Sequence, residues 1–202
     1  MNSVYPNSLE SIIEFFKKFP GIGEKSAERM ALSILNIPLG EIQIASDALV
    51  KARETLHPCD ICGNLTDSLK CNICEDKTRN QNLICVVEDY KSIYAFEKAG
   101  NFKGVYHVLN GLISPIDDIG VDDINLSSLI RRIKELENPE LILALKGTIE
   151  GETTTLYIKK IFENQNIKIS RLSYGLPSGA EIDYLDMSTI EKALKDRKII
   201  SE

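Results

Sequence analysis

Apolar residues in the opening segment recur at helical spacing. Leu9, Ile12, Ile13, Phe16 and Phe19 fall on one face of a helix expected over 8–19. Ser8 stands where an N-cap is expected, but Ser11 rather than Glu follows three residues later, so the capping box is incomplete. Pro20-Gly21-Ile22-Gly23 interrupts this pattern. A second helix is expected over 24–35, with Ala27, Met30, Ala31, Ile34 and Leu35 apolar. Pro38 and Gly40 break it, and a third helical pattern covers 41–56. Residues 1–56 are therefore expected to form three short helices around a small core.

Periodicity is weak over 57–76. From Asn82 the texture changes to short apolar runs typical of buried strands, at 83–87, 105–109, 141–145 and 167–172. Helical patterns at 90–99, 127–137 and 153–164 alternate with them. Strand alternating with helix predicts an α/β fold, a parallel sheet covered on both faces. A turn cluster from Gly175 to Gly179 and a helix over 188–198 make up the tail. No internal repeat or low-complexity linker is present. The chain divides into segments 1–56, 57–76, 80–173 and 174–202.

Composition adds limits. In 202 residues, 43% are hydrophobic and 27% charged, which reads as soluble and globular. No apolar run approaches the roughly 20 residues that cross a bilayer. The stretch from Met1 to Glu10 is polar and lacks the pattern of a signal peptide, so a cytoplasmic protein without membrane contact is expected. The net charge is −6. Bulk charge therefore cannot hold nucleic acid, and any such binding needs a local basic patch.

Four of the five cysteines lie within 59–74. Cys59-x-x-Cys62 and Cys71-x-x-Cys74 are two knuckles, each able to present two thiolates to one ion. Two knuckles close a tetrahedral Zn(II) site, one zinc per chain. With four protein ligands no coordination position is left for substrate, so the metal is structural. The alternative is two redox pairs, against which no strand is expected to lead directly into either knuckle. His57 is read as a bystander and Cys85 as a buried small hydrophobe.

The run FPGIGEKSAERMA joins the first two helices by a tight Gly-x-Gly turn, a helix–hairpin–helix. Gly21 and Gly23 can expose backbone N–H groups, and with the start of the second helix these can hold one DNA phosphate. Lys25 and Arg29 are one helical turn apart and can flank it. The alternative is an ordinary turn with solvated charges. Such contacts touch only the DNA backbone, so no sequence preference is expected.

Helix–hairpin–helix, four-Cys finger and an α/β domain opening with ICVVEDYKSIYAFEKAG follow one another. Together with YHVLNGLISPIDDIGVDDI, EGETTTLYI and YGLPSGAEIDYLD, this order resembles the RecR family over about 8–198. The resemblance implies that the α/β part is a Toprim domain, the module shared with topoisomerases and primases. It implies a non-catalytic mediator of recombinational DNA repair that forms ring-like homo-oligomers. Such proteins work with RecO, and in many bacteria RecF, to load RecA on single strands coated by single-strand-binding protein.

A catalytic Toprim site places a Glu after the first strand and Asp-x-Asp after the third, where the carboxylates hold Mg²⁺. By resemblance Glu88 takes the first position, and Glu150 and Glu152 match a following Glu-Gly-Glu. The two Asp positions fall on Lys146 and Thr148. RecR sequences usually show Asn-Pro-Thr there, so Lys146-Gly147 departs even from that. Weak Mg²⁺ binding by Glu88, Glu150 and Glu152 and a solvated or partner-facing acidic cluster both remain open. The run Glu181 to Asp186 resembles the family's Walker-B-like stretch, with Gly179-Ala180 where Gly-Gly is usual. No phosphate-binding G-x-x-x-x-G-K-[ST] accompanies it, so ATP hydrolysis is not expected. Two rivals stand beside the mediator reading: a Toprim nuclease or primase-like enzyme, and a zinc-finger adaptor that binds RecO without its own DNA contact.

Overall fold

The computed structural model describes residues 4–200; the extreme ends of the first and last segments, 1–3 and 201–202, lie outside it. The chain falls into two compact units, Met1–Thr55 and Leu56–Glu202.

The first unit is helical. α1 (Asn7–Lys17) and α2 (Glu24–Ser33) pack through Ile13, Ala27 and Ala31, which are buried, with Leu9, Ile12, Phe16 and Ile22 around them. Two alanines on α2 let the helices approach closely. The cap of α1 differs from expectation. Pro6 is the N-cap, and its carbonyl accepts from Leu9 N and Glu10 N at 2.9 and 3.0 Å. Its extended backbone makes it a better entry than Ser8, which lies inside the first turn. Ser11 Oγ bonds back to the Asn7 carbonyl at 2.9 Å and caps nothing.

α2 gives way at Ile34–Asn36 to a short 3-10 turn, and α3 follows over Leu39–Thr55. The expected three-helix core is not found. No residue of α3 is buried. Ile44, Leu49 and Val50 are exposed, because its apolar residues are spread around the helix and form no single stripe to bury.

The second unit begins with a two-residue ladder, β1 (His57–Pro58) against β2 (Leu65–Thr66), and a one-turn helix, α4 (Asn72–Glu75). Then come β3 (Asn80–Val87), α5 (Tyr90–Ala99), β4 (Gly104–Val108), α6 (Leu126–Lys134), β5 (Glu140–Ala144), α7 (Ile149–Phe162) and β6 (Lys168–Arg171). The strands form one parallel sheet in the order β4-β3-β5-β6.

Alternation along the strands separates two cores. Ile84 and Val86 of β3 join Val105, Leu141 and Leu143 under α6 and α7, with Leu129, Ile133, Ile158 and Phe162. Cys85 and Val87 point the other way, to Tyr106, Val108 and Ile93 of α5. Burial of both faces is why β3 and β4 read as continuous apolar runs.

Several helices begin or end away from their expected bounds, among them α6, which stops at Lys134 rather than at 137. α7 starts at Ile149, four residues before the expected 153, because Thr148 is an N-cap that accepts from Gly151 N at 3.3 Å. The tail helix α8 covers Met187–Lys195 and follows a 3-10 turn at Ile182–Tyr184. Asp186, in the Walker-B-like stretch, caps α8 by accepting from Thr189 N at 2.9 Å.

Candidate metal centre and nucleic-acid interface

The four expected cysteines converge. The sulfurs of Cys59, Cys62, Cys71 and Cys74 all lie within 4.8 Å of one another, three of them on buried residues. Two tight turns bring this about. Gly63 N donates to the Cys59 carbonyl at 2.9 Å, and Cys59 N to the Asn64 carbonyl at 2.7 Å. Gly63 makes the first turn possible with φ of 75°. The second knuckle is held by Cys71 N donating to Cys59 Sγ at 3.3 Å, and Asn64 N points at Cys62 Sγ at 3.5 Å.

Sulfurs this close cannot all ionise without a cation. Contact with Cys71, 3.6 Å away, pushes the Cys62 thiol far up, and the same contact pulls Cys71 down. A single soft divalent ion would let all four become thiolates, and the donor set fits such an ion. One expectation is corrected: β1 leads directly into Cys59, if only by two residues. The convergence of both pairs on one point, rather than the absence of a strand, is what weighs against separate redox pairs. His57 stays out of the set, its Nδ1 3.0 Å from the Pro58 carbonyl. Cys85 is buried in β3, and burial pushes its thiol up to about 12, so it is inert.

The hairpin between α1 and α2 closes through Ile22 N donating to the Phe19 carbonyl at 3.2 Å. Gly21 takes the left-handed conformation, φ 79°. Gly23 does not: it is the extended N-cap of α2, φ −88°, and offers no side chain to the first N–H groups of that helix. Those donors and the positive end of the helix dipole face outward without a capping side chain. Lys17 bridges Glu14 at 2.7 Å and Glu24 at 2.9 Å, and these carboxylates hold its pKa above the usual lysine value. The acid in the first turn of α2 is thereby neutralised. Lys25 and Arg29 are exposed, and neither forms an ion pair among the described residues.

At the carboxyl edge of the parallel sheet, Glu88 follows β3 and Lys146 follows β5. Lys146 Nζ lies 2.8 Å from Glu88 Oε1, and this carboxylate raises the lysine's pKa. Glu150 and Glu152 stand in the first turn of α7. The Thr148 side chain lowers the Glu150 pKa, and Glu152 faces Arg171 at 3.8 Å. The three carboxylates do not gather. Among the described residues the four cysteines are the only group of three or more His, Cys, Asp or Glu residues placed to share a metal ion.

Four further residues meet this edge from the tail side: Arg171, Tyr174, Lys192 and Asp196. Sequence reasoning missed them. No local signal marks them, since the contacts join residues far apart in the chain.

No helix among the described residues is long and apolar enough to cross a membrane. Three known families match segments of the chain, in the order of its modules. Residues 9–53, holding the hairpin, match the family described as "RecR, helix-hairpin-helix". Residues 82–173, holding the parallel sheet, match the Toprim domain. Residues 175–198, holding α8, match "RecR, C-terminal". The four-cysteine module lies between the first two of these segments. With its hairpin module, Toprim sheet and C-terminal segment each matched in sequence order, the chain belongs to the RecR family and carries that family's recombination-repair architecture.

Proposed function

We propose that this chain acts without catalysis, as a DNA-binding mediator that works with RecO, and with RecF where present, to load RecA on single-stranded DNA. The observation that carries this reading is the hairpin. Uncapped N–H groups at the start of α2, beside an exposed Lys25 and Arg29 that form no ion pair among the described residues, are suited to a phosphate of any sequence. The four-cysteine cluster suits zinc, held by Cys59, Cys62, Cys71 and Cys74, as a structural ion that ties two otherwise coreless turns together.

The positions where catalytic Toprim members carry Asp-x-Asp are Lys146 and Thr148 here. The first pairs with Glu88 and the second caps α7, which supports a role in binding rather than phosphoryl transfer. One such hairpin on a net negative chain binds weakly. Assembly into a ring would place several around one opening and raise affinity through effective concentration.

The direct test is RecA assembly on single strands coated by single-strand-binding protein, read as the lag before RecA hydrolyses ATP. The chain should shorten the lag only when RecO is present. An unchanged lag with RecO overturns the mediator reading. One observation favours an adaptor without its own DNA contact: over 7–33, Lys17, Lys18, Lys25 and Arg29 are balanced by Glu10, Glu14, Glu24 and Glu28. An adaptor would shorten the lag equally well after Lys25 and Arg29 are removed.

A further inference from the structure

Membership of the Toprim fold implies a divalent cation at the carboxyl edge of the sheet, and the residues there do not fit one. A lysine ammonium already stands 2.8 Å from Glu88, the carboxylate that follows β3, and Asp89 beside it is taken up in capping α5. A Mg²⁺ beside it would meet like charge, and Glu150 and Glu152 are not positioned to complete its shell.

A second lysine reaches the same loop from the tail. Lys192 of α8 donates to the Gly147 carbonyl, next to Lys146. Its ammonium also lies 5.1 Å from the centroid of the Tyr174 ring, and the Arg171 guanidinium lies 4.6 Å from that centroid. The Tyr174 hydroxyl donates to the Lys146 carbonyl at 3.4 Å. Asp196 ties the other end, accepting from Tyr174 N at 2.9 Å and from Arg171 Nη2 at 2.7 Å. Gly147 leaves room for this: a Cβ there would sit 2.9 Å from Lys192 Nζ and 3.0 Å from Tyr174 Cε1.

We infer that this chain has exchanged the divalent cation of a Toprim centre for tethered cations, and that the exchange docks its own C-terminal segment. Lys146 neutralises Glu88 from within the loop. Lys192 and Tyr174 bind the carbonyls of Gly147 and Lys146, so the segment from Tyr174 to Asp196 is fastened to the β5–α7 loop without Mg²⁺. Lys192 and Tyr174 are positioning residues, acting on the tail and on no substrate. The inference rests on the Toprim match and the contacts of this edge, independently of how DNA is bound.

The test uses the full chain with its cysteine site loaded with zinc, in buffer free of magnesium and of chelator. Mn²⁺ is titrated to millimolar concentration and followed by the loss of its free electron-paramagnetic-resonance signal, in wild type and in Glu88→Gln. Both should retain no manganese. One equivalent held by wild type and lost in Glu88→Gln overturns the exchange. Hydrogen exchange over 174–196 is then measured with and without Mg²⁺, and in Lys192→Ala. Protection should be indifferent to Mg²⁺ and should fall several-fold in Lys192→Ala. Protection that rises with Mg²⁺, or that is unchanged in Lys192→Ala, overturns the tethered docking.

Discussion

The backbone N–H of Val108 donates to the carbonyl of Cys62 at 2.7 Å. Val108 ends β4, an outer strand of the parallel sheet, and Cys62 belongs to the first knuckle. The finger thus covers a strand edge that would otherwise offer unpaired backbone groups. The next residue, Gly63, is fitted to the same seat. A Cβ on it would lie 3.2 Å from both the Val108 carbonyl oxygen and Asn125 Nδ2. Asn125 Nδ2 in turn donates to the Val108 carbonyl at 3.0 Å. Finger and sheet therefore share hydrogen bonds, and disturbance of one reaches the other.

Cys62→Ser or Cys74→Ser should lose the bound metal and destabilise the second unit by more than about 3 kcal/mol, since metal binding and folding of so small a module are one event. The effect should reach the sheet: amide exchange at Val105–Val108 should rise in step with metal loss. Elemental analysis, thermal unfolding and exchange mass spectrometry check this. Freshly purified protein without zinc, or β4 protection that ignores the mutation, would contradict it.

A buried histidine predicts an acid limit. His107 is fully buried in β4, its Nε2 is 2.8 Å from the Asn125 carbonyl, and its Nδ1 has no hydrogen-bond partner among the described residues. Burial pushes its pKa down from 6.5 to about 4. The folded state thus binds its proton less readily than the unfolded chain. Its contribution is intact above about pH 6.5 and is lost as pH falls toward 4, amounting to roughly 3 kcal/mol there. Urea unfolding across this range should show the loss, and His107→Gln should flatten the slope. An unchanged slope would place the acid sensitivity elsewhere.

Much of the fold was legible because β3 and β4 are buried on both faces and so read as apolar runs, and because knuckle spacing states its own chemistry. What failed has physical causes. Ser8 resembles a cap, but Pro6 is preset for the entry and takes the position. α3 has helical content without a stripe, so its packing could not be read from periodicity. Periodicity places the start of α7 too late because Ile149, Glu150, Gly151 and Glu152 carry no apolar period. Their helix is fixed by the Thr148 cap. The Lys146–Glu88 pair and the Lys192–Gly147 contact join distant segments, and spacing carries no trace of them.

Arg79 links the exit of the finger to the sheet. Its fork bonds Glu97 at 2.9 and 2.6 Å, and it reaches the Gly104 carbonyl at 3.2 Å. Glu97 also accepts from the buried Tyr106 hydroxyl at 2.7 Å. Arg79→Ala leaves that half-buried carboxylate with the Tyr106 hydroxyl alone and should cost about 1–2 kcal/mol. Arg79→Lys should restore less than half, because an ammonium cannot present two parallel donors. Denaturant midpoints for the two variants decide it, and full rescue by lysine would reduce the site to simple charge pairing.

The hairpin's contribution to DNA binding can be isolated by salt. Lys17 is occupied by Glu14 and Glu24, and on α2 itself the positive charge without an ion pair among the described residues comes from Lys25 and Arg29. If they flank phosphates, each lost contact should remove roughly one unit from the slope of log affinity against log salt. Lys25→Ala with Arg29→Ala should therefore weaken binding most at low salt and flatten the dependence. The loss should be alike for unrelated sequences, because backbone contacts carry no base information. Assembly must be held constant, since multivalency could hide the change, so wild type and variant are compared at equal measured mass. Both residues are exposed on α2 and away from its buried Ala27 and Ala31, so the fold should tolerate the change. A variant of the same mass with undiminished affinity and an unchanged salt slope would mean that the hairpin is only a turn. The DNA would then be held by a partner such as RecO.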